Sequence, residues 1–374
     1  MKILIVAPYF YPKVGGMENY AYNIAIGLKT KYNATIEVIA SNHESKRNKV
    51  DYIDGIKVHR LAPLFVISNT PINPFWYFKI KSIIKEFQPE IINAHTPVPF
   101  MADMAALAAK DLPFYLTYHA LSMKKKGIMF ANFIISTYEG IVLRLLLKHT
   151  KQIICTSVVI SDFLKKKYHV DSTTISPGVS SLFTEKSKNT SSSGDKLLVI
   201  GGLRKAEEHK QLTVAIDALH NVAQKHNDVK LTIVGEGNQL DRYKKYTSKL
   251  GLEKNIFFIG KLLGKRLVDE YKKADIVLVT SRSEGFGMVV IEAMASGKPV
   301  VASNISSISL ILRDKLDGLL VHPEKPEEFS NAIIMLIDSN ALRLRMGRSG
   351  REEAIRHHLW NRKIEQSYTL FSQQ

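Results

Sequence analysis

Short apolar, β-branched runs alternate along the chain with longer stretches in which apolar residues recur at helical spacing. In the first half the runs are ILIVA (3–7), IEVIA (36–40), IKVHR (56–60), EIINAH (90–95), FYLTYH (114–119), QIICTS (152–157) and TTISPG (173–178). Stretches such as ENYAYNIAIGLKT and DMAALAAK lie between them. Continuous apolar strands separated by helices predict a doubly wound, mostly parallel α/β sheet covered on both faces. The alternation stops at the polar, serine-rich stretch EKSKNTSSSGDK and restarts with KLLVIGG, VKLTIVGEG, NIFFIG, DIVLVTS, PVVAS and GLLVHP. Two Rossmann-like domains are therefore expected, 1–184 and 196–355, with a linker over 185–195. A terminal helix over 356–374, with no strand after it, is expected to return to the first domain.

The length of 374 residues agrees with two cores, since single cores stop growing near about 250–300 residues. The lone cysteine, Cys155, excludes an intrachain disulfide and fits a reducing compartment. The opening MKILIVAPYF reads as a first strand rather than a secretion signal, so a cytoplasmic protein is expected.

Charge adds a partner class. Of the formal +17, residues 1–190 carry +11 (24 Lys and Arg against 13 Asp and Glu) and the remainder +6 (28 against 22). Such an excess favours phosphorylated substrates, an anionic membrane or nucleic acid. With no zinc finger, RNP motif or basic recognition helix, nucleic acid is not expected. The tract IMFANFIISTYEGIVLRLLL (128–147) follows Lys124-Lys125-Lys126, and Glu139 and Arg144 interrupt it. It reads as a buried helix or as one lying in a membrane interface, giving a possible peripheral contact with the inner face of an anionic membrane.

In open α/β sheets ligands bind outside the carboxyl ends of the strands, so the loops there carry the chemistry. After the first strand, Gly15-Gly16 precedes a helix start; there is no GxGxxG, which argues against a nicotinamide or flavin site. His119 closes the strand FYLTY. In the second half GGLRKAEEHKQL places Arg204 and Lys210 on a turn, without the spacing of a Walker loop. Gly235 sits in the next turn. The sequence lacks HExxH, an Asp-x-Asp pair, a Cys/His cluster and a GxSxG elbow, so neither a dedicated metal nor an α/β-hydrolase site is expected.

The densest signal is SRSEGFGMVVIEAMASGKP (281–299), where Glu284 and Glu292 bracket a Gly-Phe-Gly loop between a strand and a helix. A helix start suits a phosphate. Carboxylates beside it suit hydroxyl groups, which donate to them, as sugars do.

The run ADIVLVTSRSEGFGMVVIEAMASGKPVVAS closely resembles the E-x7-E signature of the retaining glycosyltransferases of family four, with the GT-B fold. The resemblance continues through PYFYPKVGGMENYAYNIAIGL, LTYHA, ISPGVSSLF, VGEGNQL, IFFIG and the helix of Trp360, covering nearly the whole chain. It implies two Rossmann-like domains facing across a cleft and a nucleoside diphosphate sugar as donor, with no metal. Glu284 would contact the donor sugar hydroxyls. Phe286, Gly287 and Met288 would present backbone to sugar and diphosphate, and Glu292 would hold the ribose. Lys210, with Arg204, would grip the diphosphate. Gly16 and Gly235 would take part in donor binding, and His119 would lie by sugar and acceptor. The family often has Gly-Arg where this chain has Gly201-Gly202, and its Gly-Gly then Glu after PVVAS is replaced by NISSISLIL.

The reading is a retaining hexosyltransferase acting on a glycan, a lipid-linked or a small-molecule acceptor. Two alternatives stay open. One is a nucleotide-sugar epimerase or hydrolase on the same fold; the other is a non-catalytic basic membrane-binding protein.

Overall fold

A computed structural model describes residues 1–13, 15–67, 70–121, 129–185 and 193–373. The chain divides into two compact units, Met1–Pro177 with Trp360–Gln374, and Gly178–Leu359. The border thus precedes the 185–195 stretch expected as a linker, most of which (186–192) lies outside the described residues. Residues 178–184 fold with the second unit for a local reason. Val179 donates its N–H to the His358 carbonyl at 2.7 Å, and the Phe183 ring packs edge-on to Tyr271 at 5.3 Å.

The first unit holds β1 (Lys2–Ala7), β2 (Thr35–Ser41), β3 (Lys49–Ile53), β4 (Ile56–Leu61), β5 (Phe65–Ile67), β6 (Thr70–Ile72), β7 (Ile91–Thr96), β8 (Phe114–Tyr118), β9 (Gln152–Cys155) and β10 (Thr173–Thr174). Its helices are α1 (Gly16–Tyr32), α2 (Trp76–Phe87), α3 (Met101–Ala109), α4 (Met129–Thr137), α5 (Leu143–Lys148) and α6 (Val158–Tyr168). An eight-stranded sheet runs in the order β10-β9-β8-β7-β1-β2-β4-β3, parallel except for the edge strand β3. Successive side chains of a strand point to opposite faces, and β1 shows the result. Leu4 and Val6 join the core under α2, α3, α5 and α6, while Ile3, Ile5 and Ala7 join the core under α1. The terminal helix packs on that second face, with Ile364 and Phe371 buried beside α1.

Three strands were not expected. The edge strand β3 turns into β4 through Asp54-Gly55, both at positive φ, so a hairpin closes there. The β5–β6 hairpin stands apart from the main sheet. The tract 128–147, of which 128 is outside the described residues, forms α4, a π-helical turn (Tyr138–Val142) and α5. Leu143, Leu146 and Leu147 are buried, so one side of α5 is core. Lys124–Lys126 lie outside the described residues. Among the described residues no helix is long and apolar enough to cross a membrane.

The second unit holds β11 (Lys196–Ile200), β12 (Lys230–Val234), β13 (Ile256–Phe258), β14 (Ile276–Val279), β15 (Val300–Ser303) and β16 (Gly318–Val321). Its helices are α7 (Leu212–Ala223), α8 (Leu240–Lys249), α9 (Gly264–Lys273), α10 (Met288–Ala295), α11 (Ser306–Ser309), α12 (Pro326–Asp338) and α13 (Asn340–His357). The last helix of the chain, α14 (Trp360–Ser372), returns to the first unit. The second sheet is parallel throughout, in the order β13-β12-β11-β14-β15-β16. Again one face packs α7 and α12 and the other packs α9 and α10.

Candidate active site

In the second unit the order of strands reverses direction between β11 and β14, and the crevice at such a switch point is where open sheets bind ligands. Lys210 follows β11 at the end of a short 3₁₀ segment, and Glu284 follows β14. The structure brings these two together: the Lys210 ammonium pairs with Glu284 Oε1. Ser281 Oγ donates to the same oxygen at 2.6 Å. The two loops are fastened to each other by backbone as well. Thr280 Oγ1 donates to the Lys210 carbonyl at 2.9 Å, and Arg282 N–H donates to the His209 carbonyl at 2.7 Å. Both Lys210 and Glu284 are partly buried and line a recess with Gly201, Leu212, Ser281 and Val289.

Just beyond Glu284, Gly287 takes φ +101° and starts α10. That left-handed conformation favours glycine. No side chain caps the helix, and Val290 N–H is taken by the Gly287 carbonyl at 3.0 Å, which leaves the N–H groups of Met288 and Val289 as the first-turn donors with partial positive charge. Phe286 is partly buried, its ring 6.3 Å from His358. The arrangement is a set of donors beside a carboxylate, fit to bind an anion next to a hydroxyl-rich group.

Glu292 lies one turn inside α10, and its Oε2 accepts from the Tyr271 hydroxyl at 2.7 Å. Burial pushes its carboxyl up to about 7, with the Tyr271 hydrogen bond pulling the other way. It is therefore half protonated near neutral pH. Arg204 is exposed, and its guanidinium makes no hydrogen bond or ion pair among the described residues, so it does not join Lys210 and Glu284. Gly235 has a packing reason for being glycine: a Cβ there would sit 1.9 Å from the Gly201 carbonyl oxygen.

In the first unit the switch lies between β1 and β7. Gly16 opens α1, and a Cβ on it would meet no atom within 4 Å, so the fold itself does not require glycine. His119, just after β8, stacks on His95 of β7 at 5.1 Å, with His95 Nδ1 to His119 Nε2 at 2.9 Å. Tyr20 of α1 meets the His119 ring edge-on at 5.2 Å and is itself backed by Trp360 at 5.7 Å. Burial holds His95 down to about 3, and burial with the neighbouring His95 holds His119 well below its ordinary value. Both rings are neutral at physiological pH.

Sequence reasoning missed Tyr271, Ser281 and His95. Tyr271 sits in the amphipathic stretch KRLVDEYKK, where its apolar spacing marks only a core position. His95 ends an apolar strand and carries no local signal, while Ser281 reads only as the end of the strand DIVLVTS. Among the described residues no group of three His, Cys, Asp or Glu side chains converges on a point.

Residues 14–181 match the model of "Glycosyltransferase Family 4" and residues 183–353 that of "Glycosyl transferases group 1". A phosphatidyl-myo-inositol mannosyltransferase of Mycobacterium tuberculosis is 24% identical over 375 residues, covering 96% of this chain and 94% of its own. Among solved structures, sucrose-phosphate synthase from Thermosynechococcus elongatus superposes with a TM-score of 0.78 at 19% identity, covering 100% of this chain and 98% of its own. Anabaena HepE in complex with UDP superposes with a TM-score of 0.76 at 19% identity, covering 100% of both. These share the two-domain GT-B fold. The two family matches follow one another with only residue 182 between them, and the chain belongs to the glycosyltransferases of family 4 and group 1.

Proposed function

We propose that this glycosyltransferase moves a hexosyl group from a nucleoside diphosphate sugar to an acceptor hydroxyl with retention of anomeric configuration. The observation that carries the reading is the Lys210–Glu284 pair at the carboxyl ends of β11 and β14, just ahead of the uncapped start of α10. Lys210 and the α10 N–H groups neutralise the diphosphate, and Glu284 accepts from sugar hydroxyls. Glu292 accepts from the ribose. As the bond from the anomeric carbon to the diphosphate oxygen breaks, negative charge grows beside Lys210, where a fixed cation counts most. The acceptor oxygen bonds to the same face of that carbon, and its proton passes to the departing diphosphate. Gly16 takes part in donor binding and His119 in contact with sugar and acceptor on this reading, and no metal is required. HepE was solved with UDP, so uridine donors are the first to test.

The acceptor is a glycan, and its carrier is a lipid at the cytoplasmic face of a membrane. The charge of +11 on residues 1–190 and the relation to a phosphatidylinositol mannosyltransferase support this. The lone Cys155, buried and unpaired, fits a reducing compartment.

Thermal-shift screening of UDP, GDP, ADP and CDP and their sugars tests the donor, because a ligand that binds the folded state raises its melting temperature. Proton NMR of the first product tests the stereochemistry. An α-donor should give an α-glycoside, and a β-product overturns retention. Release of a free sugar whether or not acceptor is present would favour a hydrolase.

A further inference from the structure

Most of the exposed large apolar residues of the first unit belong to one part of its chain. Twelve large apolar side chains between Leu64 and Leu145 are exposed, all on or beside α2, α3, α4, α5 and the β5–β6 hairpin, whereas α1 and α14 on the opposite face of the sheet expose none. Single exposed apolar residues are ordinary, but a run of consecutive ones close to a row of cations marks a docking surface.

The hairpin is the sharpest part. Phe65, Val66 and Ile67 are consecutive and 50%, 51% and 58% exposed. In an antiparallel pair alternate residues should face the protein, so three exposed in a row have no core to serve. The hairpin is nonetheless firmly based. Leu64 N–H donates to the Ile72 carbonyl at 2.9 Å, and Asn73 Nδ2 and Trp76 Nε1 both donate to the Ala62 carbonyl at 2.9 Å. Trp76 is fully buried and begins α2, whose outer side then presents Phe78, Lys79, Lys81 and Lys85. No Asp or Glu occurs between Asp54 and Glu86. Across the π-helical turn and α5 the same mixture recurs: Ile141, Leu145 and Lys148 are exposed at helical spacing, with Arg144 exposed beside them.

Resting on the membrane-acceptor reading above, we propose that this surface, the β5–β6 hairpin with the outer sides of α2 and α5, is where the first unit docks on an anionic bilayer. The apolar tip enters the interface and the lysines take the headgroup charge. The basic rim selects this occupant. A second copy of the chain, itself strongly positive, would bring like charges together.

The test is flotation of the full chain with phosphatidylcholine vesicles, alone or with phosphatidylglycerol added. The wild type should float only with the anionic vesicles and be largely released by 1 M salt. Replacing Phe65, Val66 and Ile67 together by Ser, or Lys79, Lys81 and Lys85 together by Gln, should lower the bound fraction about tenfold. An unchanged near-ultraviolet circular dichroism spectrum and melting profile of the full chain should show that both variants fold. Failure of the wild type to float would overturn the membrane reading and this surface with it. Wild-type flotation that both variants retain would overturn the surface alone. Loss of a wild-type dimer in the variants, without vesicle binding in either, would assign the surface to self-association and overturn the proposal.

Discussion

The Tyr271 hydroxyl donates to Glu292 at 2.7 Å from inside the core of the second unit, so a group read as a ribose ligand is also a buried carboxyl with a tuned charge. Burial raises it to about 7 and the tyrosine lowers it. If the carboxylate accepts from ribose hydroxyls, affinity for a nucleotide sugar should rise with pH through about 7 and then level off. UDP-glucose is the ligand to use, since its diphosphate is esterified at both ends and does not titrate there. Removing the donor in Tyr271→Phe should move the midpoint upward. Calorimetry between pH 5.5 and 8.5 reads both effects, and a flat profile would remove the ribose role.

The same carboxyl bears on stability. Its folded value of about 7 lies above the ordinary 4.5, so between those values the folded state holds a proton that the unfolded chain has lost. Stability therefore falls as pH rises from about 4.5 to 7, by about 3 kcal/mol in total. Glu292→Gln cannot ionise and should melt higher than wild type at pH 8 while matching it at pH 5. Calorimetric scans at the two pH values check the sign.

Lys210→Ala should lower kcat by about 10²–10³, the usual cost of removing one group that stabilises charge in the transition state, with a smaller loss in donor affinity. Arg204→Ala should cost less than about threefold, because its exposed guanidinium lies outside the Lys210–Glu284 contact. Steady-state rates with donor Kd measured separately would decide. A Lys210→Ala effect confined to KM would remove the leaving-group role.

The His95–His119 pair should stay neutral through the working range. Of the two facing nitrogens one donates and one accepts, and protonating the accepting ring would leave two donors facing each other across 2.9 Å. In NMR neither imidazole should titrate near the ordinary 6.5, both shifting only at lower pH. Because their folded values lie below the ordinary 6.5, this pair stabilises the fold above about 6.5 and loses that contribution as pH falls. Normal titration of either histidine near 6.5 would contradict the buried pair.

Much of the fold was legible because both sheets are parallel, but for the edge strand β3, and doubly covered. Strands such as ILIVA and DIVLVTS must then be apolar on both faces, and they stand out against the helices. Glu284 and Lys210 were legible as loop residues after strands, and their contact follows from β11 and β14 being neighbours. What stayed hidden broke the pattern. β3 is an edge strand with Val50 and Tyr52 exposed, and the β5–β6 hairpin is apolar where nothing covers it. The early border arose because ISPGVSSLF reads as the end of one sheet, whereas Phe183 is packed by Tyr271 of the other unit.

The last helix has a consequence for how the chain is made. Ile364 and Phe371 fill the core of the first unit, and a Cβ on Gly27 of α1 would lie 2.0 Å from Ile364. The unit that emerges first from the ribosome is therefore the one completed last. Its α1 face waits with an open apolar seam while the whole second unit, Gly178–Leu359, is synthesised and can close on its own. A premature stop that removes only the final 15 residues, Trp360–Gln374, would spare the unit nearest to it and strip the far one, leaving a nascent chain whose first half depends on a chaperone.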